Sequence, residues 1–136
     1  MTNSNTSLDL FSDADVIAGY SRAEAIADGV LIDLTRLAKE YGILFPVAMT
    51  AAAHRVVVAL SPMAERMGND EEGRAWDVLT MLKCRIRDAK QGEDRLLFSV
   101  ACITGNEHPS QIELKAVCGP GDDARPVITI LLPDED

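Results

Sequence analysis

After residue 94 the period of the apolar residues changes, and this constrains the fold more than any other feature of the chain. Between Glu71 and Lys90, the residues Ala75, Leu79, Leu82, Ile86 and Ala89 recur at helical spacing and predict one buried helix face. Glu71 and Glu72 near the start and Lys90 near the end complement the helix dipole, and Gly92 ends the run. Beyond it, residues 95–103 and 111–118 read as strands joined by a turn-rich stretch. In the second, Ile112, Leu114, Ala116 and Cys118 alternate with Gln111, Glu113, Lys115 and Val117, which predicts an antiparallel strand with one wet face. A Gly119-Pro120-Gly121-Asp122-Asp123 turn then leads into residues 126–132, apolar enough for a central strand.

The first half supplies shorter elements. Ser21 with Glu24 forms a capping-box pattern at the start of a helix that Gly29 stops. Residues 30–32 read as a short β-like run, Thr35 as the cap of a helix closed by Gly42, and residues 45–49 as extended. Thr50 reads as the N-cap of a helix over residues 51–60, and residues 68–70 as a break. Helices first and strands after predict an α+β domain over residues 20–136, with several helices packed on one face of a small C-terminal antiparallel sheet. Residues 1–19 carry Asp9, Asp13 and Asp15 with no base and are expected to be a loosely ordered acidic segment.

Charge and cysteine use narrow the function classes. The formal net charge is −9, concentrated at the two ends, which disfavours direct nucleic-acid binding and favours a partner with a basic surface. Lys83, Arg85, Arg87, Lys90 and Arg95 make one stretch locally basic, but Asp88, Glu93 and Asp94 interleave with them. Cys84, Cys102 and Cys118 are scattered among apolar neighbours and read as buried free thiols, not as a zinc or redox motif. No run is long and apolar enough for a membrane span, and the polar first residues lack a signal-peptide order, so a cytoplasmic protein is expected.

Candidate chemistry is sparse, and no cofactor or metal is expected. Asp122 and Asp123 could chelate a cation, yet their spacing is not that of a calcium loop, and turn chemistry explains the same residues. His54 and His108 have no nucleophile motif around them. Trp76, the only tryptophan, reads as a core anchor or, with Glu71, Glu72 and Arg74, as part of an exposed contact surface. The candidate partner-binding residues are therefore Glu71, Glu72, Arg74, Trp76, Asp122 and Asp123, with no catalytic set.

The runs at residues 20–31 (Tyr20 to Leu31), 45–50 (Phe45 to Thr50), 73–79 (Gly73 to Leu79) and 118–123 (Cys118 to Asp123) carry a resemblance. Across most of residues 20–136 the chain resembles a family of small proteins of unknown function found on plasmids, phages and integrated elements of bacteria. That resemblance implies a mobile-element setting and transfers no activity. The expected role is a non-enzymatic accessory protein that binds another protein, for example inhibiting a host defence complex such as a CRISPR effector. A nucleic-acid-associated regulatory or plasmid-maintenance module using residues 83–95, and an enzyme built on Asp122 and Asp123, are the alternatives.

Overall fold

The computed structural model describes residues 20–103 and 108–135. The acidic segment 1–19 and the middle of the turn after residue 103 lie outside them. In chain order the elements are α1 (Arg22–Ala27), β1 (Leu31–Asp33), α2 (Thr35–Glu40), β2 (Val47–Thr50), α3 (Ala51–Val57), α4 (Pro62–Arg66), α5 (Glu71–Arg87), β3 (Arg95–Cys102), β4 (Ser110–Pro120) and β5 (Pro126–Leu131).

Local chemistry fixes many of the boundaries. The Ser21 hydroxyl accepts from the Glu24 amide while the Glu24 carboxylate accepts from the Ser21 amide, so the capping box is complete. Thr50 caps α3 at the Ala53 amide, and Asp70 caps α5 at the Gly73 amide over 2.6 Å. The helix expected over residues 51–60 stops at Val57, where β-branched residues crowd the backbone. Ser61 then caps a separate short helix with Pro62 in its first turn. Gly42 takes φ +90° just past α2, a left-handed stop that suits glycine.

The class is α+β, as expected, but the sheet is neither all antiparallel nor confined to the last third. Five strands run in the order β1-β2-β5-β4-β3, with β2 and β5 parallel and the other pairs antiparallel. The physical reason lies in β5. Val127, Ile128, Ile130 and Leu131 are all buried, so this strand is apolar on both faces and takes a neighbour on each side. The short runs β1 and β2 supply the missing half of the sheet.

On one sheet face Val47, Met49, Phe98, Val100, Leu114, Ala116 and Ile130 join Leu37, Ala38, Ala53, Val57, Val78, Leu79 and Leu82 of α2, α3 and α5 in a single core. The expected packing of the helices on one face does not extend to α1. Its Arg22 guanidinium donates to the Thr129 hydroxyl at 2.7 Å and to the Ile128 carbonyl at 2.8 Å. Thr129 lies between two core residues of β5, so its side chain and the start of α1 are on the opposite face.

Candidate functional site

The C-terminal half of α5 does not close onto the sheet. Of the five residues expected on its buried face, Ala75, Leu79 and Leu82 are inside, Ala89 is half-buried, and Ile86 is 37% exposed. Ile86 stands at the mouth of an apolar groove of about 510 Å³. Leu96, Ala116, Cys118 and Ile128 of the sheet floor it, α5 walls one side, and the loop from Gly42 to Phe45 walls the other. Leu44 and Phe45, at 82% and 45% exposed, extend the apolar surface outward from the rim.

The loop wall is held by a cation. Lys83 Nζ donates to the Tyr41 carbonyl at 2.8 Å and sits 5.1 Å from the centre of the Tyr41 ring. Tyr41 in turn meets Trp76 edge-on, with ring centres 5.2 Å apart. A Cβ on Gly42 would lie 3.0 Å from that Lys83 nitrogen, the movable end of a long side chain, so the φ of +90° is the stronger demand for glycine here. At the opposite rim Glu93 accepts from the Lys90 amide and from Arg85 at 3.1 Å each. The Lys90 amide first, and Arg85 second, hold the Glu93 carboxyl below the usual carboxylate range.

The groove's lining holds one thiol, Cys118, and no histidine. Its size and polarity are those of a pocket that takes an apolar group. All three cysteines are free, but only Cys102 is buried; Cys84 and Cys118 are half-buried, in contrast to the expectation of three buried thiols. Among the described residues no His, Cys, Asp or Glu cluster could hold a metal ion.

The residues singled out from the sequence do not form one surface. Glu71 and Glu72 are exposed in the first turn of α5. Arg74, expected to be exposed, is only 5% accessible and donates to the Val57 and Ile103 carbonyls at 2.9 and 3.0 Å. Trp76 is half-buried against the core beside Tyr41. Asp122 and Asp123 lie in the β4–β5 hairpin, at the end of the sheet where β3 begins after the far end of α5. A hollow of about 340 Å³ beside them is lined by Arg22, Asp33 and Thr35 and contains no histidine.

Within that hairpin the two carboxylates differ. Asp122 accepts from the Arg22 and Ala23 amides at 2.8 and 3.0 Å, capping α1 from a hundred residues away. Among the described residues Asp123 pairs only with Arg125, by a backbone hydrogen bond and an exposed ion pair at 3.0 Å. Asp122→Ala should therefore cost about 1 kcal/mol, while Asp123→Ala should stay within about 0.5 kcal/mol of the parent. Urea denaturation of the two variants checks this, and equal losses would show that the long-range cap is not formed.

Two cations of the locally basic stretch, Lys83 and Arg85, are engaged within the fold. Besides Lys83, Arg85 donates to the Leu97 carbonyl at 3.0 Å and to Glu93. The groove itself left one trace in the sequence: Ile86 continues an apolar periodicity that the shape of the sheet leaves half uncovered. Leu44 and Phe45 gave no periodic signal at all.

No curated protein and no solved structure matches this chain. The profile of a family of unknown function, DUF6573, matches residues 8–136, and so begins twelve residues before the resemblance noted above. The chain belongs to that family of unknown function.

Proposed function

We propose that the protein acts by binding another protein, whose apolar side chains enter the groove between α5 and the loop from Gly42 to Phe45. The observation that carries this reading is the exposure of Leu44, Phe45 and Ile86 around one apolar cleft. Contiguous apolar surface of this kind, rimmed by charged residues, is typical of a contact site. The net charge of −9 favours a partner with a basic surface, while the lining of the groove itself mixes Lys83 and Arg87 with Glu93 and Asp94. In its more specific form the proposal is an accessory factor of a mobile element that works in the bacterial cytoplasm and inhibits a host defence complex. The resemblance alone supports that form. Among the described residues no helix is long and apolar enough to cross a membrane.

The test is affinity capture of the tagged full chain from its bacterial host, with and without nuclease, beside a Leu44→Asp variant. The expected result is one protein recovered in both conditions with the parent and absent with the variant. Recovery that depends on nucleic acid, or that is unchanged by Leu44→Asp, would overturn the reading.

A further inference from the structure

The β3 edge of the sheet carries unpaired backbone. In the ladder between β3 and β4 the Cys118 amide donates to the Asp94 carbonyl at 2.9 Å, one step before the pair Arg95 and Val117. Even-numbered residues of β3 therefore bond to β4, and odd-numbered ones turn their N–H and C=O to the open edge. Leu97 and Ile103 follow that phase, since their carbonyls accept from Arg85 and Arg74 of α5. Between them the outward groups of Ser99 and Ala101 have no partner among the described residues. Edge strands are ordinarily guarded by charge, proline or a bulge. Residues 96–103 contain no charge, no proline and no glycine, and Leu97 among them is 55% exposed.

The helix beside this edge carries a self-complementary charge pattern. Arg74, Asp77, Met81, Arg85 and Asp88 follow one another at steps of three or four residues and so share one stripe of α5. Arg74 and Arg85 turn that stripe to the β3 edge, with Met81 between them 41% exposed. About Met81 the charges are antisymmetric: Asp77 mirrors Arg85, and Arg74 mirrors Asp88. An antiparallel copy of α5 would set the exposed Asp77 against Arg85, and Asp77 has no ion pair among the described residues.

We propose that β3 pairs with β3 of a second copy of this chain, antiparallel, about a two-fold axis at Val100. Ser99 then stands opposite Ala101 of the copy, and the two exchange both backbone hydrogen bonds on each side of the axis. The free groups of the edge are thereby paired, and Leu97 meets Ile103 of the copy. Val100 is midway between Leu97 and Ile103, and Met81 is close to midway between the two arginines that donate to them. One axis therefore serves both strand and helix. A copy is selected over an unrelated strand because it brings the mirrored charge stripe together with the strand. The groove lies on the other side of α5, along Leu82 and Ile86. The inference thus goes beyond the proposed contact, and either can stand without the other.

Sedimentation equilibrium of the full chain reads the association directly. The expected result is a concentration-dependent dimer that Ala101→Pro weakens at least about ten-fold, since this proline removes an outward amide and leaves the β4 ladder intact. Asp77→Lys and Arg85→Glu should each weaken the dimer, and an equimolar mixture of the two variants should restore it, as a two-fold contact requires. Melting curves check that each variant folds. A parent chain that stays monomeric up to high micromolar concentration would overturn the proposal. So would a dimer indifferent to Ala101→Pro and to both charge reversals, which would place the contact elsewhere.

Discussion

Replacing Arg74 by alanine is expected to destabilise the fold by about 3 kcal/mol, with no direct effect on a partner surface. The side chain rises from the first turn of α5 into the interior and ties the end of α3 to the end of β3 through the Val57 and Ile103 carbonyls. Truncation leaves both carbonyls short of a donor, each worth about 1–3 kcal/mol when buried, and opens a void. Among the described residues the remaining nitrogen, Nη2, has no hydrogen-bond partner. Arg74→Met refills the volume without the donors and should fall between parent and alanine. Denaturant unfolding measures all three. A loss under about 1 kcal/mol for Arg74→Ala would show that the buried hydrogen bonds contribute little.

The second large effect is on binding. Leu44→Asp and Ile86→Asp each place a carboxylate where an apolar partner group is proposed to enter, and both positions are exposed enough to accept it. Each should weaken partner affinity at least about thirty-fold, equivalent to about 2 kcal/mol, which is the scale of an interface hot spot. Leu44→Asp should change stability by less than about 0.5 kcal/mol, since that side chain is 82% exposed. Ile86→Asp removes a mostly covered side chain and puts a carboxylate in the last turn of α5, and should cost about 1 kcal/mol or more. Calorimetric titration of the captured partner reads the affinity, and a melting curve reads the stability. Glu71→Lys with Glu72→Lys should act mainly through association rate and salt dependence.

Much of the architecture was legible in the residues because local chemistry and burial agreed. Ser21 with Glu24, Thr50, and the Ala75-Leu79-Leu82 stripe each behave as their spacing predicts. The apolar run after Pro126 becomes the central strand that its composition suits. What the sequence hid was long-range. The parallel pairing of β2 with β5 joins segments about eighty residues apart, for which no local pattern exists. Lys115 follows a clean alternation and yet is buried, because the chain beyond β5 returns to give its ammonium the Glu135 carbonyl. There Glu135 also accepts from Thr50 at 2.6 Å. Arg74 and Asp122 were read as contact residues from their type, and both instead spend their polar groups on backbone that lies far away in the chain. The groove escaped for a related reason: it exists where a helix and a sheet diverge, and periodicity records only which residues could be buried.

Hydrogen exchange of the full chain, with and without its captured partner, decides whether the groove beside α5 is the contact surface. The predicted result is slowed exchange in residues 42–45 and 82–89 on binding, with residues 71–76 and 121–125 changing less. Protection confined to residues 71–76 or 121–125, with the groove exchanging as in the free protein, would contradict it.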